Sequence, residues 1–225
     1  MNSNRHFSVL LLLILLSAFY CGKKENALDN KGSDDNELKE VDDNSTKKKM
    51  TFNDYLGSGI SLTFDNVEYK LTWSSHPSEN LYMQEYLSEN DSIENFKKLV
   101  LLQAVTGNAK IKEVVDLKVS ELKKMKETDP MVNYDLFEKN GEIMLDFIVF
   151  KNLPESNEPE FIERNVYRYK TLMNEGKVDG VILFGVSERA YGNNINKYLT
   201  DLKAHRFDVP NEVGAFSIPE IKIIK

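Results

Sequence analysis

The chain has 225 residues, a formal net charge of −7, 41% hydrophobic and 29% charged residues. That composition fits a soluble globule with extensions, and an acidic balance argues against a nucleic-acid partner, which calls for a basic surface. A single cysteine excludes an intrachain disulfide framework, and three histidines make a multi-histidine metal centre an unsuitable expectation; no cofactor is expected.

In chain order, residues 1–20 come first. Arg5 and the amino terminus give a positive start, and Val9 to Leu16 form an apolar run of the kind found in secretory signals. Phe7 to Tyr20 is too short for a spanning helix, which takes roughly 20 residues. The run ends at Cys21, the only cysteine. Leu16-Ser17-Ala18 followed closely by that cysteine resembles a bacterial lipoprotein signal, with Tyr20 standing where the family usually has a small residue. The resemblance covers residues 1–21. It implies that Cys21 is the first mature residue, carries lipid such as palmitate, and holds the protein to a membrane of the cell envelope, on its periplasmic or surface side. Burying acyl chains stabilises by about 0.8 kcal/mol per methylene, so several chains on one residue form a lasting anchor.

Residues 21–50 follow as a tether. From Gly22 to Met50, seven lysines meet eight acidic residues with no aromatic. Such a segment buries too little to offset its ordering entropy, so disorder is expected. As a flexible coil it would hold the rest on the order of 30 Å from the membrane.

Residues 51–225 read as one α+β domain, a mostly antiparallel sheet with about three helices packed on it. Strands are expected at Val67–Trp73 and Leu81–Leu87, with His76-Pro77 in the turn between them. Asp91-Ser92-Ile93-Glu94 has capping-box spacing before an apolar run, so a helix is expected over Ser92–Val105. Helical spacing recurs from Ile111 to Met125. Val132–Glu138 and Glu142–Phe150 flank Asn140-Gly141, the strongest short hairpin pattern in the chain. Phe161–Tyr169 alternates, and Gly180–Ser187 reads as a strand buried on both faces. A last helix is expected over Asn194–Arg206, then an edge strand or wrap over Phe216–Ile224. This order of elements is similar to that of the Mog1/PsbP-like sandwiches, a likeness that implies fold and no activity.

Chemistry-bearing patterns are sparse. His76 and His205 lack a G-x-S-x-G partner motif, and Gly57-Ser58-Gly59 lacks the lysine and helix of a phosphate loop, which leaves it a turn. One concentration stands out. The chain has five arginines, four of them between Arg164 and Arg206, interleaved with Tyr167, Tyr169 and Tyr191. Arginine supplies a planar, bidentate donor that lysine does not. In a strand, Arg164 and Arg168 share one face while Tyr167 and Tyr169 take the other. They are expected to pair with Asp146, Glu163 or Glu85 and brace the strands. Arg189 and Tyr191 are expected in a strand-to-helix connection, where they would suit a small anionic or sugar ligand. Together Arg164, Tyr167, Arg168, Arg189 and Tyr191 are the candidate binding residues. No catalytic constellation is evident. The expected role is a non-catalytic binding or interaction module of the envelope, with an envelope protein or a small ligand as partner. An envelope enzyme working through Asp, Glu, Arg and Tyr, or an inhibitor of the immunity type, are the alternatives.

Overall fold

The computed structural model describes residues 52–224 except Pro154 and Asn157. The leader, Cys21 and the tether therefore lie outside the described residues.

Among the described residues, eight strands form a single antiparallel sheet: β1 (Ser61–Phe64), β2 (Val67–Ser78), β3 (Leu81–Leu87), β4 (Lys98–Thr106), β5 (Asn133–Lys139), β6 (Glu142–Asn152), β7 (Pro159–Asn174) and β8 (Lys177–Tyr191). Their spatial order is β1-β2-β3-β4-β8-β7-β6-β5. The sheet is thus two four-stranded meanders joined where β4 meets β8, in register from Lys98↔Glu188 to Thr106↔Gly180. Helix α1 (Ile111–Thr128) connects the meanders, and α2 (Ile195–His205) and α3 (Asp208–Ala215) follow β8. The fold is α+β and dominated by its sheet.

Two cores result from strand alternation. On one face α1 lays Val114, Val115, Val119 and Leu122 onto Leu99, Leu101, Leu145, Phe147, Tyr167 and Leu183. On the other, Val209 and Val213 of α3, with Ile221 and the loop residue Leu56, cover Val100, Leu102, Val166, Phe184 and Val186. The C-terminal stretch is a wrap, not a strand. Its Lys222 and Ile224 amides donate to the Leu56 and Tyr55 carbonyls at 2.8 and 2.9 Å.

The Asn140-Gly141 hairpin forms as expected, with both residues at positive φ, 55° and 77°. α1, α2, β3, β5 and β6 also lie where the patterns place them, and β7 and β8 extend beyond the expected spans. The helix expected over Ser92–Val105 is a correction: residues 98–106 are the central strand β4. The run Leu99-Val100-Leu101-Leu102 is buried on both sides of a sheet, and a two-sided apolar run carries no period that distinguishes strand from helix. The capping-box residues instead close a turn, in which the Asn95 amide donates to the Ser92 carbonyl at 3.0 Å. His76-Pro77 is a second correction, since β2 continues through both residues to Ser78. Proline is accommodated there because pairing with β3 is irregular between Ser75 and Ser78. Gly57-Ser58-Gly59 is the expected turn, held by the Asp54 carboxylate, which accepts from the Ser58 and Gly59 amides at 3.1 and 2.7 Å.

Candidate functional site

The arginine–tyrosine region divides between the two faces of the sheet. Residues of β7 alternate, so Glu163, Asn165, Tyr167 and Tyr169 face α1, while Arg164, Val166 and Arg168 face α3.

On the α3 face both strand arginines brace the fold, as their carboxylate neighbours suggest. Arg164 donates to both oxygens of Asp146 on β6, Nε at 3.0 Å and Nη2 at 2.7 Å, and Nη2 also reaches the Arg206 carbonyl. Arg168 donates from Nε to Glu142 at 2.6 Å and from Nη1 to the Phe216 carbonyl at 2.8 Å. Burial works against ionisation of Glu142, yet Arg168 and Lys170 together hold its carboxyl below the usual range. Arg206 completes the series by donating to Asp135 of β5 at 2.8 Å.

On the α1 face the structure corrects the placement of Arg189 and Tyr191. Both belong to β8, not to a loop, and Arg189 is only 8% exposed. It lies directly across from Glu163 in the β7–β8 ladder and donates to that carboxylate. Its guanidinium is flanked by the rings of Phe96 and Phe161, 4.1 and 4.3 Å away. The Tyr191 hydroxyl donates to the Phe96 carbonyl at 3.0 Å. Next along the sheet, Asn165 donates to Glu163 and accepts from Ser187 and Tyr167, at 3.1, 2.6 and 3.0 Å. Tyr167 has room for its ring because the residue across from it is Gly185, where a Cβ would sit 2.7 Å from the ring.

Sequence reasoning undervalued Glu85 of β3, named only as a pairing choice. It is buried, and among the described residues its Oε2 has no hydrogen-bond partner. Burial first, and the like charge of Glu163 second, raise its pKa from 4.5 to about 7, against the opposing pull of Arg189. Lys118 of α1 is buried over the Phe147 ring and pairs with Glu121 at 3.0 Å. Burial lowers its pKa. The α1 face thus holds a packed ionic cluster.

Open space lies on the α3 face. A cleft of about 520 Å³ separates the β5–β6 hairpin from α3. Phe137 and Phe207 form its apolar lip, edge to face at 6.4 Å, and both are exposed. Met144 and Pro210 line it with Lys139, Asn211 and Arg168. Of the five candidate residues only Arg168 reaches this cleft. Arg164 lies on the same face beside it, and Tyr167, Arg189 and Tyr191 lie on the other. The cleft was not legible in the sequence, because it depends on α3, only eight residues long, and on how that helix stands off the hairpin.

Both described histidines are engaged by neighbouring side chains. His76 stacks on Tyr82 at 4.1 Å, and His205 pairs with Asp208 on the exposed side. Among the described residues, no group of three or more His, Cys, Asp or Glu side chains could hold a metal, and no helix is long and apolar enough to cross a membrane.

No curated protein and no solved structure matches the chain. A protein-family model does match, over residues 56–218, which runs from the loop before β1 to the start of the wrap after α3 and takes in every strand and the cleft. The chain belongs to that family.

Proposed function

We propose that the protein is a non-catalytic binding module of the bacterial cell envelope, held to the membrane through lipid on Cys21, and that its cleft receives a small ligand with an apolar body and an anionic group. The observation that carries this reading is the cleft itself. It combines an exposed aromatic lip with the cation Lys139, and the one acid in its lining, Glu142, is already matched by Arg168 and Lys170. Pockets of this size with apolar walls and a few polar groups are the usual form of small-molecule sites. The envelope-enzyme alternative wants Asp146 and Glu163 to converge with the arginines. They sit on opposite faces of the sheet, each tied to its own arginine, and that supports binding over acid–base chemistry.

The test uses 1-anilinonaphthalene-8-sulfonate, an aromatic anion, with the folded protein. Its fluorescence should rise saturably, and Phe207→Ala and Lys139→Glu should each weaken the affinity at least several-fold while the melting temperature stays unchanged. Equal binding by both variants overturns the cleft reading. The anchor is tested separately by fractionation: Cys21→Ser should move the protein out of the membrane fraction, and full retention at unchanged mass would make the apolar leader itself the anchor.

A further inference from the structure

The geometry points to a second copy of this chain as the partner of the β5 edge, paired antiparallel about a two-fold axis at Phe137. This inference does not rest on the cleft holding a ligand.

The two ends of the sheet differ. β1 is four residues long, and its Leu62 and Phe64 are buried, so that edge is short and covered on one face. β5 is seven residues long and exposed at six of them, with Leu136 at 47% and Phe137 at 39%. A long, exposed edge strand is a template for another strand.

The hairpin fixes which backbone groups are available. A two-residue turn makes Lys139 and Glu142 a hydrogen-bonded pair, and the β5–β6 register runs without a shift from there to Asn133↔Ile148. Lys139, Phe137 and Asp135 therefore direct their N–H and C=O groups toward β6. Glu138, Leu136 and Tyr134 direct theirs outward. Side chains sort the same way: Asp135, Phe137 and Lys139 lie on the α3 face, where they meet Arg206, Phe207 and the cleft.

A second β5 laid antiparallel with Phe137 opposite Phe137 satisfies both patterns. Leu136 and Glu138 then exchange N–H···O bonds with Glu138 and Leu136 of the other copy, using the outward groups. On the α3 face, Asp135 stands opposite Lys139 on each side of a central aromatic pair, in the closer, non-hydrogen-bonded positions. Neighbouring registers lose this match. Centring on Leu136 sets Asp135 against Phe137, and centring on Asp135 sets two like charges against each other. The charges that would ordinarily guard an edge are self-complementary in one register only.

Cysteine scanning of the full chain in intact cells tests this, because facing residues of a non-hydrogen-bonded pair approach closely enough for a disulfide. Under mild oxidation Phe137→Cys should form a self-crosslinked dimer and Leu136→Cys should not. In sedimentation, Asp135→Lys should weaken self-association by tenfold or more, and adding Lys139→Asp should restore it. These residues are exposed, so the variants should fold, and unchanged melting checks that. A monomer at all concentrations, a crosslink at Leu136→Cys instead, or a crosslink from Phe137→Cys to a different protein would each overturn the proposal.

Discussion

Glu85 is the residue whose chemistry departs furthest from its sequence appearance. In the unfolded chain it ionises near 4.5, and in the fold it holds its proton to about 7. A raised acid pKa means that the native state binds more protons than the unfolded state between those values. Glu85's contribution to stability is therefore fully present below about pH 4.5 and is lost as pH rises through about 7, by an amount on the order of 3 kcal/mol. Glu85→Gln keeps the shape and removes the charge. We expect a melting temperature that is flatter across that window and higher than the parent's at pH 8. An unchanged slope would show that Glu85 is ionised throughout. The opposite logic governs Arg189. Its place between Phe96 and Phe161, against Glu163, makes it part of the scaffold, where loop placement would have left it free.

At the scale of elements, the contact between β7 and β8 depends on a missing side chain. Gly185 leaves the space that the Tyr167 ring occupies, and a Cβ there would also lie 3.0 Å from Leu101 Cγ on β4. Gly185→Ala should therefore overpack the sheet and cost about 1–3 kcal/mol, read as a fall in melting temperature with the protein still folded. No change would mean that the ring moves aside freely. How far elements could be read in advance follows from their surroundings. α1 and the β5–β6 hairpin are half-buried, so period and turn chemistry declare them. β4 and β8 are covered on both faces and lose that period. Gly180 and the β-branched run marked β8 as a strand, while leucines and a mimic of a capping box led β4 toward a helix. α3 was missed because it is only eight residues long and carries Pro210, although proline is tolerated in a first helical turn, where its missing N–H has no partner. Of the site, the Arg164–Asp146 pair was legible, since alternation separates Arg164 and Arg168 from Tyr167, but Arg168 takes Glu142, which was not among the expected carboxylates. The fate of Arg189 depended on β8 running four residues further than its apolar core.

For the whole molecule, the order in which strands are made differs from the order in which they pair. β8 is the last strand in the chain and lies at the centre of the sheet, between β4 and β7. Until it is present, each meander ends in an unpaired strand, and β4 is apolar from Leu99 to Leu102. The final strand thus closes two vulnerable edges at once, and its pairing with β4 spans about 80 residues of chain. A partial chain that stops before Lys177 carries both open edges and no means of joining them. For a protein that we propose is lipid-anchored in the cell envelope, this arrangement bears on when the chain folds. We expect a chain truncated before Lys177 to stay protease-sensitive while the complete chain is resistant, so that the fold waits on its last strand.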